Sequence, residues 1–237
     1  MTSSDKPTTV RLIRLACIAF GFILWFLTQW MIGQRPFPGE DPDATGRVLT
    51  AADALHQATS HWNRALHENE TASRALLIFS SGVIDIMGTG LILLALLGNS
   101  IRPFLGLLFL FTSRQVCQYL CPLPAPEGII WNAPGFPSLL VTYGVANDFF
   151  FSGHTAIAVF AGVELGRQAG NRGWLLGGVI IFFEVATVLV LRAHYTIDVI
   201  AAIGFALAAH PLADSCAGPA DHMIRRLAGH RDRQVDA

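Results

Sequence analysis

Long apolar stretches separated by short polar ones run through the whole chain. Each is close to the roughly 17 to 25 residues that a helix needs to cross a bilayer, and they lie at residues 15–32, 75–98, 103–120, 149–166, 174–191 and 195–211. We therefore predict an all-α membrane protein, a six-transmembrane-helix bundle over residues 15–212, with a cytoplasmic N-terminus at 1–14 and a cytoplasmic tail at 213–237. Hydrophobic residues make up 52% of the chain and charged residues only 14%, which excludes an ordinary soluble domain.

The segment between the first two predicted spans has a different pattern. From Val48 to Leu66, apolar residues recur every three to four positions among charged residues and histidines, which predicts an amphipathic helix lying on the extracytoplasmic membrane surface. Its histidines, His56, His61 and His67, lack the i, i+4 spacing that would put two ligands on one helical face. We interpret them as solvated side chains rather than as a metal site.

Positive charge along the chain predicts its orientation. With the N-terminus inside, the cytoplasmic segments hold ten of the sixteen Lys and Arg residues, in line with the positive-inside rule. Both termini should then be cytoplasmic, and the start of the fourth span and the turn before the sixth should lie on the non-cytoplasmic face. A bacterial inner membrane is favoured over a eukaryotic endomembrane. The net charge of −1 provides no basic surface, so we expect no nucleic-acid partner.

Ionisable residues gather at the ends of the last three predicted spans, where they are costly in a membrane protein and usually functional. His194 and Asp198 are four residues apart at a helix start, so they share one helical face. The carboxylate could accept the proton on one imidazole nitrogen and leave the other nitrogen as a nucleophile or a base. His154 opens the fourth span, on the same predicted side of the membrane.

Other residues near these histidines suit a phosphate group. Ser152 and Gly153 precede His154 at a helix N-terminus, where backbone N–H groups bind anions. Arg114 and Arg192 could add charge-assisted bonds to phosphate oxygens. The pattern predicts one phosphate held between two histidines. It contains no metal-ligand cluster, and we expect neither a metal nor a cofactor, because a histidine nucleophile with arginine neighbours requires none.

Two short motifs, SGHT at residues 152–155 and HYTIDV at 194–199, resemble the active-site signature of the sphingomyelin synthase family, a branch of the type 2 phosphatidic acid phosphatase superfamily. The resemblance implies six membrane helices and a catalytic triad of His154, His194 and Asp198. It also implies that the histidine paired with the aspartate attacks phosphorus and forms a phosphohistidine. The other histidine would then protonate the leaving oxygen.

Further residues match the family pattern more loosely and are accessory candidates. Asp148 occupies the place of the aspartate in a CGD triplet that reads Ala-Asn-Asp here, and Arg114 with the following CPLPAP resembles the family's third helix and its exit. Asp85 takes roughly the place of an acidic residue in the second helix, and Tyr195 lies inside the HYTIDV motif. A lysine-rich first motif, typical of plain lipid phosphatases, is missing, since Lys6 is the only lysine.

One main hypothesis and two alternatives follow. The main hypothesis is a membrane lipid phosphotransferase that moves a phospho-alcohol head group from a phospholipid donor to a lipid hydroxyl acceptor, such as ceramide or diacylglycerol, within the lipid bilayer. The first alternative is a lipid phosphate phosphatase or phospholipase C-like hydrolase with the same triad, in which water replaces the acceptor. The second is a non-enzymatic scaffold or transporter, although ion-path residues would be expected deeper in the bilayer than these helix ends.

Overall fold

The computed structural model of the chain describes residues 6–34, 53–143 and 149–229. These residues form helices and no strand, and the helices are α1 (Lys6–Gly33), α2 (Ala54–Ala58), α3 (Ser60–Glu68), α4 (Glu70–Leu97), α5 (Arg102–Leu120), α6 (Gly153–Val190) and α7 (Thr196–Leu227). The all-α fold class predicted from the hydropathy pattern is confirmed for the part of the chain that the structure describes.

Within the described residues, four helices are long and apolar enough to cross a membrane: α1, α4, α6 and α7. They cover the first, second and sixth predicted spans, while α6 alone covers the fourth and fifth. The helix α5 coincides with the third predicted span, but it has only 19 residues, includes Arg102 and Arg114, and is not one of the four. The structure thus establishes four candidate spans where the hydropathy pattern predicts six crossings.

The long helix α6 consists of two halves. Gly170 has non-helical backbone angles, with φ at 59° and ψ at −141°, and this left-handed region is readily open only to glycine. The two halves of α6 fold back and pack closely on each other. A Cβ atom added to Gly177 would lie only 2.6 Å from the carbonyl oxygen of Gly162. A Cβ on Gly166 would likewise meet the ring of Trp174 at 2.2 Å. Small residues at a helix contact permit this close approach of backbones.

Both terminal helices extend beyond the predicted spans. The helix α1 begins at Lys6, and α7 continues to Leu227 through the first half of the segment expected to form the cytoplasmic tail. A buried ion pair explains part of the extension, since the guanidinium of Arg14 lies 3.0 Å from Oδ1 of Asp221. The same carboxylate oxygen accepts a hydrogen bond from the backbone N–H of Ile101. Residues outside the apolar stretches therefore pack into the bundle.

The segment between the first two spans forms two short helices, α2 and α3, which meet at Thr59. The start of the predicted amphipathic helix, residues 48–52, lies outside the described residues. His61 and His67 are exposed as expected, but the interpretation of His56 as solvated is wrong, because it is only 7% exposed. Asn63 is also buried, and its amide donates to the carbonyl oxygens of Gly128 and Val190 at 3.1 and 2.9 Å. The segment packs onto the bundle through these polar contacts.

Small and aromatic side chains hold α5, α6 and α7 together. Phe160 is fully buried, and a Cβ on Gly106 would lie 1.9 Å from its ring. Ala158, Ala202 and Ala206 are also completely buried. Because these contacts align the three helices, the end of α5 and the beginnings of α6 and α7 meet at one end of the bundle.

Charged side chains join the same three helices at their other ends. Arg102 pairs with Glu164 at 2.7 Å and with Asp214. His210 places Nδ1 3.2 Å from Glu164, and its ring stacks on Phe160 at 4.3 Å. This cluster lies about three to four helical turns from the predicted site residues and fixes the relative position of the helices that carry them.

Candidate active site

A small cavity lies where α1, α4, α5 and α6 meet the loop that follows α5 and the turn before α7. It has a volume of about 50 Å³. Four of the residues predicted from the sequence line it, namely Arg114, Gly153, His154 and His194. The structure thus brings together side chains that are up to 80 positions apart in the chain.

The environment of His194 determines which of its ring nitrogens carries a proton. Its Nδ1 lies 2.7 Å from the carbonyl oxygen of Phe149. A carbonyl oxygen can only accept a hydrogen bond, so Nδ1 must carry the hydrogen and Nε2 keeps its lone pair. The sequence assigned the role of acceptor to Asp198, whose Oδ2 lies farther away, at 3.7 Å. The backbone carbonyl is therefore the direct partner, and the carboxylate acts on the ring mainly through its charge.

Asp198 is fully buried in the first turn of α7. Its Oδ2 accepts a hydrogen bond from the backbone N–H of Tyr195 at 2.8 Å, while Oδ1 has no hydrogen-bond partner among the described residues. A carboxylate at this position satisfies an otherwise unpaired N–H and interacts favourably with the helix dipole. Tyr195, an accessory candidate, contributes this backbone N–H, and its ring stacks on His56 at 5.7 Å.

His154 lies in the first turn of α6 and is 5% exposed. Its ring stands edge-on to Trp131 with the ring centres 5.1 Å apart, and its Nε2 has no hydrogen-bond partner within the described parts of the chain. Ser152 is the N-cap of the helix, and its Oγ accepts from the backbone N–H of Thr155 at 3.3 Å. The serine hydroxyl therefore orients the helix that carries His154.

Arg114 provides a permanent positive charge at the cavity wall. It is buried, and its Nε donates to the carbonyl oxygen of Phe151 at 2.9 Å. A Cβ on Gly153 would lie 3.5 Å from this Nε atom. This is an ordinary van der Waals distance, so Gly153 lies next to the guanidinium, and the close approach of a ligand to this glycine stays a prediction.

Arg192 donates to backbone carbonyl oxygens, and the phosphate-binding role expected from the sequence stays a prediction. Its Nη1 donates to the carbonyl oxygen of Glu127 at 2.7 Å and its Nη2 to that of His56 at 3.3 Å. Its φ of 52° is the left-handed conformation that a glycine usually adopts at the end of a helix. The backbone N–H of Ala193 donates to the carbonyl oxygen of Val188, as in a Schellman motif. Arg192 is not part of the cavity lining.

A further predicted residue, Asp85, lies apart from the cavity. The carboxylate of Asp85 accepts hydrogen bonds from Oγ of Ser138 and from the N–H groups of Leu139 and Leu140, all at 2.9 Å. Since Leu140 lines the cavity, Asp85 shapes the wall without touching the reaction space. Asp148 lies outside the described residues.

Two residues that sequence reasoning missed support the histidine turn. Nε2 of His56 lies 2.9 Å from the backbone carbonyl oxygen of His194. Asp53 is the N-cap of α2 and also accepts from both the N–H and the hydroxyl of Thr196, at 2.6 and 2.7 Å. An aspartate before a helix start is a recognisable cap signal, but its second partner lies 143 positions away. No local pattern could have indicated that contact.

In the described residues, no group of three or more His, Cys, Asp and Glu side chains could hold a metal ion.

Burial raises the pKa of the Asp53 carboxyl, but hydrogen bonds from Thr196 and from the backbone of His56 outweigh this effect and hold that pKa below its usual value. Asp53 therefore stays ionised at neutral pH and keeps its two partners.

Comparison with known proteins gives three findings. A family model described as AtPDCT1/2 matches residues 52–215. Over 226 residues the chain is 24% identical to "Phosphatidylcholine:diacylglycerol cholinephosphotransferase 1" of Arabidopsis thaliana, covering 95% of this chain and 69% of that protein. Over 125 residues it is 28% identical to "Phosphatidylcholine:diacylglycerol cholinephosphotransferase 2" of the same plant, covering 53% of this chain and 40% of that protein. No solved structure matches the chain significantly.

Proposed function

Because the chain belongs to the AtPDCT1/2 family, we propose that it is a membrane lipid phosphotransferase. It moves a phosphocholine-type head group from a phospholipid donor to the hydroxyl of a diacylglycerol-type acceptor. The names of both relatives describe this reaction. A ceramide-type acceptor and membership of the sphingomyelin synthase branch stay predictions from the motifs, as does a bacterial inner membrane as location.

The main observation that supports the proposal is the hydrogen bond of the His194 ring. Its Nδ1 proton is held by the Phe149 carbonyl at 2.7 Å, so Nε2 offers a lone pair. Arg114 and His154 line the same cavity. A nucleophile, a cation for phosphate oxygens and a second imidazole are the groups that phosphoryl transfer through a covalent intermediate requires.

The first half of the reaction forms a covalent intermediate. Nε2 of His194 attacks the phosphorus of the donor, and the bond between phosphorus and the glycerol oxygen breaks. His154 gives a proton to that oxygen, so a diacylglycerol leaves and a phosphocholine-histidine remains. Arg114 stabilises the negative charge on the phosphoryl oxygens, and the Asp198 carboxylate stabilises the positive charge that the substituted imidazole acquires.

The second half reverses these steps with a new alcohol. The acceptor hydroxyl gives its proton to His154 and its oxygen attacks phosphorus, and the bond between phosphorus and Nε2 breaks. Both histidines return to their starting protonation states, so the cycle consumes neither water nor a cofactor. The products are a new phospholipid and the free enzyme.

We further propose that α5 and the two halves of α6 are separate crossings, which makes six with α1, α4 and α7. The Gly170 reversal and the close approach of Gly162 and Gly177 support this arrangement. With the positive-inside bias of the loops, both termini would be cytoplasmic. The cavity would then open on the non-cytoplasmic face.

A transfer assay with purified protein tests the function. Phosphatidylcholine is mixed with a fluorescent diacylglycerol, and formation of fluorescent phosphatidylcholine is followed. His194→Ala is expected to lower the rate by about a hundredfold or more, whereas His61→Ala, an exposed histidine of α3, serves as the matched control and should retain full activity.

Two results would contradict the proposal. Transfer by His194→Ala at the rate of the unaltered protein would exclude the nucleophile. Release of free phosphocholine at a rate that the acceptor does not change would instead identify a hydrolase. An acid-labile phospho-adduct that forms with the donor alone, and requires His194, would support the covalent intermediate.

A further inference from the structure

An apolar groove runs between α1 and α5, next to the catalytic cavity. It has a volume of about 240 Å³, and it is lined by Gly21, Phe22, Leu24, Trp25, Thr28, Phe104, Leu107, Leu108, Phe111, Thr112 and Gln115. None of these side chains is charged, and only Thr28, Thr112 and Gln115 are polar. A lining of this kind suits a hydrocarbon chain with a neutral polar group at one place.

The groove adjoins the catalytic cavity. Trp25 and Phe111 line both, and their rings stack with centres 4.8 Å apart. The groove and the cavity of His154 and His194 therefore share this ring pair as part of their walls. A ligand in the groove is adjacent to the reacting groups.

Gln115 adds a specific requirement on the ligand. The side chain is 9% exposed, and its Nε2 donates to Oε1 of Gln29 at 2.8 Å. Its own Oε1 is buried and accepts no hydrogen bond from the described residues. A buried acceptor in apolar surroundings is costly unless a donor reaches it. The structure thus leaves a place for a ligand that carries an O–H or N–H group.

We propose that this groove binds one acyl chain of the lipid alcohol, which enters as acceptor or leaves as product. Gln115 accepts a hydrogen bond from the hydroxyl of the free alcohol, before that hydroxyl gives its proton to His154. This inference rests on the proposed function. Phosphatidylcholine has no O–H or N–H group, so the donor cannot satisfy Gln115, whereas a diacylglycerol can. The volume is about eight times the ~30 Å³ that a water molecule occupies in the liquid. That space accommodates part of one chain rather than two.

Arg114 and Gln115 are neighbours on α5, and each would bind a different group of the substrates. Arg114 faces the catalytic cavity, and Gln115 faces the groove. The charged donor head group would be held by the arginine and the neutral acceptor by the glutamine. Successive residues of a helix point about 100° apart, so the phosphoryl group and the hydroxyl of the free alcohol would be bound on different sides of α5.

Two variants of α1 test the groove. Leu24→Trp puts a larger side chain into the lining, whereas Ile23→Trp makes a similar change on the opposite face of the helix. Both positions are exposed, at 42% and 63%. Leu24→Trp is expected to raise the KM for a long-chain diacylglycerol by about tenfold and to change that for a short-chain analogue by less than about twofold. Ile23→Trp should leave both unchanged.

The donor half-reaction serves as an internal control for folding. Formation of the phospho-enzyme from phosphatidylcholine should proceed within about twofold of the normal rate in Gln115→Leu, because the donor has no hydroxyl that could donate to Gln115. In Leu24→Trp the donor step should slow for long-chain phosphatidylcholine as well, because the leaving diacylglycerol occupies the same groove. Gln115→Leu, which removes the acceptor atom at similar volume, should raise the diacylglycerol KM for long and short chains alike. If Gln115→Leu slowed the donor step as much as the acceptor step, the hydrogen bond to the free alcohol would be refuted.

A binding experiment separates this inference from the proposed function. A diacylglycerol with a photoreactive group on one chain is irradiated with the unaltered protein, and the labelled peptides are identified by mass spectrometry. Label on α1 and α5, displaced by plain diacylglycerol and reduced by Leu24→Trp but not by Ile23→Trp, supports the groove even if no transfer is found. Transfer activity with the label confined to other helices would overturn it.

Discussion

Removing the charge of Asp198 without changing its shape should slow the chemical step by about three orders of magnitude. Asn is close to isosteric with Asp, and its side-chain oxygen can replace Oδ2 as the acceptor for the Tyr195 N–H. The NH₂ group then takes the place of Oδ1, which has no partner among the described residues. The fold should therefore survive, because the substitution breaks no hydrogen bond described there.

The magnitude follows from one distance. Oδ2 of Asp198 lies 3.7 Å from Nδ1 of His194. At an effective dielectric constant of about 20, two unit charges at that separation attract by roughly 4.5 kcal/mol. The attacking form of the imidazole is neutral and becomes cationic as Nε2 bonds to phosphorus, so this attraction acts mainly on the transition state. Since about 1.4 kcal/mol corresponds to a factor of ten, the rate should fall by about a thousandfold.

The assay is the burst of diacylglycerol released from phosphatidylcholine by Asp198→Asn. The rate constant should fall while the donor KM stays near its normal value. The matched control is Glu68→Gln, which removes the charge of an exposed carboxylate on α3. A rate for Asp198→Asn within tenfold of normal would refute the electrostatic reasoning. It would mean that the Phe149 carbonyl alone suffices to prepare His194.

Three smaller predictions concern the residues that support the site. His56→Ala, which loses the contact with the His194 carbonyl, should lower kcat by about tenfold with little effect on KM, while His61→Ala should not. The melting temperature of Arg192→Ala should be about 2 to 4 °C below that of Arg192→Gly. Only glycine adopts the positive φ without strain, and this lowers the free energy of unfolding of the alanine variant by roughly 1 kcal/mol relative to the glycine variant. The pKa of Asp53 is lowered in the folded protein. The ionised Asp53 carboxylate should therefore stabilise the fold fully above about pH 4, and this stabilisation should be lost as the pH falls further. Melting temperatures of the unaltered protein and of Asp53→Asn, compared between pH 3 and 6, measure this effect.

Each of these predictions has a result that contradicts it. An unchanged kcat in His56→Ala would show that the contact with the histidine turn does not position the nucleophile. Equal melting temperatures for the two Arg192 variants would mean that the turn relaxes to a negative φ when the guanidinium is removed. A melting temperature that falls equally with pH in Asp53→Asn would assign the acid sensitivity to another carboxyl.

The helices were predictable because hydropathy is a local property of the chain. The apolar stretches at 75–98 and 103–120 differ from the ends of α4 and α5 by at most five residues. The ends of the chain were not predictable in this way. Arg14 and Asp221 lie in polar segments, and the ion pair between them, which draws both segments into the bundle, joins positions 207 residues apart.

The candidate site was likewise predictable only in part. The spacing of His194 and Asp198 marked a shared helical face, and the glycine before His154 marked a close approach. In the structure a left-handed turn directs the side chain of Arg192 to the backbone of Glu127 and His56, and its phosphate-binding role stays a prediction. Sequence patterns give the residue type and its spacing along a helix, but not the direction of a side chain at a turn.

The sequence by itself therefore determined the all-α membrane class and the apolar extents, and it predicted the two histidines and the aspartate. These features depend on composition and on contacts within a few residues. Only the tertiary structure decided that a backbone carbonyl, that of Phe149, holds the proton of His194, and that Asp53 and His56 support the turn. Those contacts join segments 45 to 143 positions apart. Their geometry follows from how the helices pack, which no local pattern records.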